Sequence, residues 1–292
     1  MTGREVAFRL VDVFGSGPFS GNQLCVVPDA RGLDEATMRM LAREIGFSET
    51  TFVTEAGGDR YAMRIFTPGG ELPFAGHPSL GTAFVLVREG RVRSPATQVV
   101  PAGAFPVEVD LEASTARLST APDPPGREVD RPRAARAAGL GEEDLDPDLP
   151  PAVTSAGLPF LVVAARDAAA VARARAGEPS LGPLLEEVGA EGLYLFAPDP
   201  TGDLKARMFD ATLGIGEDAA TGSAAAALGA YLAHRGRPGA HRIRQGEEVG
   251  RPSLLGVEAT AGPEGWRIVV RGEVHAVGDG RFLLPEVRRA PD

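Results

Sequence analysis

Arg207–Leu232 reads RMFDATLGIGEDAATGSAAAALGAYL, and its order of residue types sets the architecture. A β-strand runs into a glycine-rich loop carrying Glu217 and Asp218, and a helix begins through Ala220-Thr221-Gly222-Ser223. Unsatisfied backbone N–H groups and the positive end of a helix dipole suit an anionic ligand group there. Arg64–Leu86, RIFTPGGELPFAGHPSLGTAFVL, has the same layout: Arg-x-Phe, a loop with glycine and acid, then a helix of small residues. The two arginines lie 143 positions apart, about half of the 292 residues. A duplicated half, with two helix N-termini facing one cleft, follows from the pattern.

Composition narrows the function classes. With 43% hydrophobic and 24% charged residues, the chain matches a folded globular protein large enough for two domains. The formal net charge of −10 argues against nucleic acid or an anionic membrane as partner. No run of about 18 apolar residues and no leader pattern occurs, so a cytoplasmic protein is expected. Lys205 is the only lysine and no Gly-Lys-Ser/Thr loop exists, which removes P-loop nucleotide chemistry. At the start of an alternating strand, Lys205 reads as solvent-facing. The one cysteine, Cys25 in the strand NQLCVV, excludes an internal disulfide and any two-thiol mechanism. The four histidines show no metal-ligand spacing, so no metal site is expected.

Each half holds many short strands and one nearly all-apolar helix. In the first, strands are expected at Glu5–Phe14, Gln23–Val27, Thr50–Val53 and Tyr61–Phe66, with a helix capped by Asp34 and ended by Gly46. In the second, late strands are expected near Trp266–Val270 and Glu273–Ala276. The proline- and arginine-rich segment 121–151 marks a boundary. Residues 1–120 then form the N-terminal half and 121–279 the C-terminal half, with about 280–292 returning to the first. A helix apolar on most sides belongs inside something, so the fold class is α+β: two pseudo-symmetric halves, each an antiparallel barrel-like sheet around a central helix. The dinucleotide fingerprint is absent, and Gly214-Ile215-Gly216 alone is a weak signal.

Several residues carry candidate chemistry, each with a plainer alternative. Glu49, at a strand mouth among Phe47, Ser48, Thr50 and Phe52, is either a desolvated carboxylate titrating near neutrality or an exposed turn glutamate. His77, in Gly76-His77-Pro78-Ser79, either relays a proton from a helix N-terminus that keeps it neutral or serves as a structural cap. Glu217 and Asp218 either face the cleft or complement a helix dipole. The segment Gln245–Ser253 offers Gln245 and Arg251 as polar contacts, or is a hairpin turn ending in an exposed arginine.

These pieces occur in an order that resembles the phenazine-biosynthesis PhzF-like isomerase family, which shares the diaminopimelate epimerase fold. The matching motifs are VDVF…GNQLCVV, Gly46-Phe47-Ser48-Glu49-Thr50, Phe66-Thr67-Pro68…Glu71…Gly76-His77-Pro78-Ser79-Leu80-Gly81, Glu217-Asp218-Ala219-Ala220-Thr221-Gly222-Ser223-Ala224 and Gln245-Gly246…Gly250-Arg251-Pro252-Ser253. They span nearly the whole chain. The resemblance implies two halves, each an antiparallel barrel-like sheet around a central helix, and a homodimer. Epimerase relatives carry a cysteine at each helix start; here those positions match Ala75 and Thr221, which rules out two-thiol epimerisation. The family's phenazine member isomerises trans-2,3-dihydro-3-hydroxyanthranilate without a cofactor. Its proton-shuttling glutamate matches Glu49, and its site histidine and aspartate match His77 and Asp218. Its carboxylate cradle matches Gly76, His77, Gly222 and Ser223. Ser79 and Ala219 depart from a common threonine and proline. The expectation is therefore a cofactor-independent isomerase acting on a small carboxylate-bearing substrate. An amino-acid racemase or epimerase with Glu49 and Asp218 as opposed bases, and a small-carboxylate binding protein without turnover, remain the alternatives.

Overall fold

The computed structural model describes residues 4–177, 179–211, 216–263 and 265–284. The first half opens with β1 (Glu5–Val13), β2 (Asn22–Val27), α1 (Glu35–Ile45), β3 (Glu49–Gly57), β4 (Arg60–Phe66) and β5 (Glu71–Leu72). Helix α2 (Gly76–Arg88) follows, then β6 (Ala96–Val100), β7 (Gly103–Asp110) and β8 (Thr115–Thr120). The second half begins with α3 (Arg131–Ala137), β9 (Ala152–Ser155), β10 (Pro159–Ala164), α4 (Ala168–Arg173) and α5 (Leu181–Val188). It continues through β11 (Leu193–Pro198), β12 (Leu204–Phe209), β13 (Glu217–Asp218) and α6 (Gly222–His234). Strands β14 (Gly239–Gln245), β15 (Ser253–Gly262) and β16 (Gly265–Leu283) close the described chain.

Local chemistry explains the helices. Asp34 accepts from the Thr37 N–H at 2.8 Å, and Gly46 ends α1 in the left-handed region at φ 70°. Between them Met38, Leu41 and Ala42 turn one face inward. Helices α2 and α6 have no polar face: Gly76–Leu86 and Gly222–Ala233 are buried throughout. Such helices need walls on every side, and the strands supply them. No helix among the described residues is long and apolar enough to cross a membrane.

Around α2, strands β1, β2, β3, β4, β6, β7, β8 and β16 pair in sequence, and β16 pairs back to β1, closing an eight-stranded barrel. Around α6 the path β16-β15-β14-β12-β11-β10-β9 repeats the programme but ends at β9. The sheet is mixed, which corrects the antiparallel arrangement expected from the pattern and from the resemblance. The pairs β2–β3, β4–β6, β10–β11 and β12–β14 are parallel. Each parallel pair brackets a helical excursion, because parallel neighbours need a long crossover. The duplication reaches side chains. The Arg64 Nε donates to Glu71 at 2.7 Å and its guanidinium lies 5.0 Å over Phe66; the Arg207 Nε donates to Glu217 at 2.7 Å and lies 4.7 Å over Phe209.

The two late strands expected at Trp266–Val270 and Glu273–Ala276 are one strand of 19 residues. Gly272 does not break it, because Gly272 is where the ring of Phe14 lies across the strand: a Cβ there would stand 2.2 Å from the ring. Before that point β16 pairs with β15 and β8; beyond it, Val274–Leu283 pairs with β1. Residues 280–283 thus lie against the N-terminal strand, and 285–292 are outside the described residues, as are 214 and 215 of the glycine fragment.

Candidate active site

Three of the sequence candidates converge where the two central helices begin. Glu49 opens β3 and is 7% exposed, His77 stands in the first turn of α2 at 3%, and Asp218 ends β13 at 5%. Glu49 is not a turn residue. It pairs opposite Leu24 of β2 and, by strand alternation, points to the same side as Thr51, whose hydroxyl lies 2.8 Å from that of Thr82 in α2. Glu49 therefore faces the central helix. Its Oε2 lies 3.4 Å from His77 Nε2. Both atoms are buried, and neither has a hydrogen-bond partner among the described residues. Two unsatisfied polar atoms facing each other mark a place that a third group completes.

The helix N-termini meet at glycine. A Cβ on Gly76 would stand 2.5 Å from the Ser223 nitrogen and 2.8 Å from the Gly222 Cα, so only glycine permits the approach. Neither helix is capped by a side chain among the described residues. Ala75 has nothing to offer, and the Thr221 hydroxyl donates instead to Asp218 Oδ2 at 2.5 Å. Asp34 and Asp167, by contrast, do cap α1 and α4. The first-turn N–H groups of Gly76, His77, Gly222 and Ser223 are thus left without a capping oxygen, at two adjoining positive dipole ends.

Asp218 is held on every side. Asn22 Nδ2 donates to its Oδ1 at 2.8 Å, and Gln245 Nε2 donates to its main-chain oxygen at 2.9 Å. Tyr194 in turn donates to Gln245 Oε1 at 3.0 Å. The other Asn22 N–H goes to the Ala220 carbonyl at 2.8 Å, and Asn22 Oδ1 accepts from Ser48 at 3.2 Å. One amide at the start of β2 thereby reaches from beside Glu49 into the second half.

Burial dominates the electrostatics. It pushes the Glu49 carboxyl up to about 7; the negative charge of Asp210 adds to this and a Ser48 hydrogen bond opposes it. Asp218 is pushed up to about 6, again by burial and then by the charge of Glu49, against His77, Thr221 and Asn22. Burial lowers His77 to about 4, so the ring is neutral at physiological pH, although Asp218 and the Gln23 backbone favour its charged form. The Cys25 thiol, buried in β2, is pushed up to about 12 and is inert.

Other candidates lie elsewhere. Glu217 is locked onto Arg207, whose Nη1 also donates to the carbonyls of Val171, Ala172 and Ala174. Lys205 is not solvent-facing. Its strand is covered by β11 and β14, and its ammonium lies 2.6 Å from Glu247 and 2.8 Å from Glu248. Gln245–Ser253 is a hairpin turn, but Arg251 bends inward to Asp12 and donates to the Gly21 carbonyl at 2.9 Å. Sequence reasoning missed Asn22 and Asp210. The signal for Asn22 was its place after the turn cluster GSGPFSG; Asp210 offered none beyond following a strand.

Similarity to known proteins identifies the family. A family model described as phenazine biosynthesis-like protein matches residues 11–280. An uncharacterized isomerase of Pasteurella multocida is 34% identical over 98% of this chain and 96% of its own length. The trans-2,3-dihydro-3-hydroxyanthranilate isomerase of Pseudomonas chlororaphis is 33% identical over 95% of this chain and 99% of its own. The crystal structure of a PhzF-family phenazine biosynthesis protein from Bacillus anthracis superposes with TM-score 0.84 at 25% identity, covering 96% of this chain and all of that one. With a continuous match to the family and isomerases along nearly its full length, the chain is an isomerase belonging to the phenazine biosynthesis-like (PhzC-PhzF) family.

Proposed function

We propose that this isomerase moves a proton between two carbons of a small carboxylate-bearing substrate by general acid/base catalysis through Glu49, without a cofactor. The observation that carries the reading is the Glu49 carboxyl: buried, with Oε2 unsatisfied opposite His77 Nε2, and titrating near 7. A group with that pKa takes a proton from one carbon and returns it to another with neither step strongly uphill at neutral pH. The uncapped N–H groups of Gly76, His77, Gly222 and Ser223 bind the substrate carboxylate. Neutral His77 orients the reacting portion, and Asp218 accepts from a substrate amine or hydroxyl. Dihydro-hydroxyanthranilate-type isomerisation, the activity named for the Pseudomonas chlororaphis relative, is the form this chemistry takes here, in a cytoplasmic homodimer.

A two-base racemase fits less well. Both Asp218 oxygens already accept hydrogen bonds, from Asn22 and Thr221, whereas Glu49 Oε2 has none. Asp218 is thus a fixed acceptor and Glu49 the mobile one. A panel of small carboxylates screened by thermal shift identifies a ligand, since ligand binding raises the melting temperature by mass action. With that ligand, Glu49→Gln is expected to abolish solvent-deuterium incorporation while the thermal shift survives. Undiminished incorporation overturns the assignment, and inversion of an amino-acid centre in an optical-rotation assay favours the racemase.

A further inference from the structure

The carboxyls of Glu49 and Asp218 belong to different halves, yet one chain of hydrogen bonds joins them. Ser48 Oγ lies 3.2 Å from Asn22 Oδ1, and Asn22 Nδ2 lies 2.8 Å from Asp218 Oδ1. The orientation of the Asn22 amide follows from its partners: its nitrogen faces the Asp218 carboxylate and the Ala220 carbonyl, with His77 Nδ1 3.3 Å away, so its oxygen faces Ser48. The Ser48 hydroxyl has a single proton but two acceptors within reach, Asn22 Oδ1 and the Glu49 carboxylate. It can serve only one at a time.

We infer that Ser48 and Asn22 are positioning residues forming a proton-responsive relay, through which protonation of Glu49 tightens the hold on Asp218. When Glu49 is ionised, the Ser48 O–H points at it and Asn22 Oδ1 loses its donor. When Glu49 takes a proton, its own O–H donates to Ser48 Oγ, and the Ser48 hydroxyl rotates to Asn22 Oδ1. The polarised amide then donates more strongly to Asp218. Only a hydroxyl rotates; Ser48 keeps its proton throughout. The relay rests on the proposed role of Glu49 for its purpose: Asp218 is gripped most firmly in the half of the cycle in which Glu49 carries the substrate's proton.

The groups facing Glu49 are His77 from α2, Asp210 just after β12 and Asp218 from β13. Ser48→Ala and Ser48→Thr leave these groups and their partners in place; Asn22→Ala also removes a bond to Asp218 and a 3.3 Å contact with His77 Nδ1, so only the part of its effect that depends on Ser48 reports the relay. The test is a carbon-13 NMR titration of the ligand-free full-length protein with labelled Glu and Asp carboxyls, the two signals assigned with Glu49→Gln and Asp218→Asn. Ser48→Ala is expected to raise the Glu49 midpoint by about one pH unit, a tenfold gain in proton affinity, because a hydrogen bond to the charged form is lost. Ser48→Thr, which restores a hydroxyl, returns the midpoint to the wild-type value. Asn22→Ala, which does not touch Glu49, lowers its midpoint by about half a unit, roughly threefold in affinity, and this effect vanishes in the Ser48→Ala background.

An unmoved midpoint in Ser48→Ala, or an equal Asn22 effect in both backgrounds, overturns the relay. Ser48 is only half-buried, and if Asn22→Ala fails to fold the Asp218 signal of Ser48→Ala decides instead: its midpoint is expected to rise as the unpolarised Asn22 amide donates less strongly, and an unmoved or lowered midpoint overturns the relay. No substrate is needed. The deuterium experiment on Glu49→Gln therefore tests the isomerase role separately, and either result can fail without the other.

Discussion

Glu49→Gln should make this protein more stable at pH 8, and most of the gain should be gone by pH 5. A carboxyl whose folded pKa is raised binds its proton more tightly in the native state than in the unfolded chain. Its effect on stability is nil below the unfolded value, and stability falls as pH rises from there to the folded value. For Glu49 that window runs from 4.5 to about 7. At about 1.4 kcal/mol per pH unit, ionised Glu49 costs the native state about 3 kcal/mol at pH 8. Glutamine has nearly the same shape and no charge to desolvate. It also relieves Asp218, whose elevation is partly due to the charge of Glu49. His77 runs the other way: its folded pKa near 4 lies below the ordinary 6.5, so its contribution is lost as pH falls through that interval. It is common to both proteins and cancels in the difference. Urea unfolding of wild type and Glu49→Gln at pH 5, 6.5 and 8 measures the effect. The expected difference is about 3 kcal/mol in favour of the variant at pH 8, falling to about 1 kcal/mol at pH 5. A variant destabilised equally at every pH refutes the claim that Glu49 is held ionised at the native state's expense.

Gly76→Ala places a methyl group 2.5 Å from the Ser223 nitrogen. It should destabilise the protein by about 1–3 kcal/mol and remove the ligand-induced thermal shift, as read in one melting series with and without carboxylate. Arg207→Lys loses a bidentate pair with Glu217 and three bonds to helix-end carbonyls. In chemical denaturation it should cost at least about 2 kcal/mol more than Arg64→Lys, whose guanidinium is more exposed. Lys205→Met leaves Glu247 and Glu248 without their shared cation. It should cost about 1–3 kcal/mol at pH 7, and because the Lys205 ammonium holds the Glu247 carboxyl below its ordinary range, that carboxyl's share is lost only as pH falls through its lowered folded value; an unchanged denaturation midpoint at pH 7 contradicts a stabilising role for the Lys205 pairs.

Most of the framework was legible in the residues because it depends on local rules. Asp34 and Gly46 delimit α1, and the duplicated Arg-x-Phe motif marks β4 and β12. The all-apolar stretch from Ala224 to Ala233 had to be a central helix. What could not be read were relations across long separations. Glu49 reads equally as a turn residue until β2 is laid against β3. Lys205 alternates like a surface residue until Glu247 and Glu248 fold over it. Asn22 touches Ala220 across 198 positions, and no periodicity announces such a pairing. Gly272 reads as a strand break because its real reason, the ring of Phe14, comes from the far end of the chain. The parallel pairs were hidden for the same reason: strand direction belongs to the neighbour and not to the segment.

Strand β16 has one more consequence, for the order in which the protein can be made. The barrel around α2 is closed by residues 274–283, paired with residues 5–13. While the ribosome is still translating the second half, β1 and β8 are bare rims of a seven-stave sheet, and α2 has an open flank. Such rims invite pairing with other nascent chains. The first half to emerge is therefore the last to be sealed. Cutting the chain anywhere before residue 265 leaves both rims bare for good.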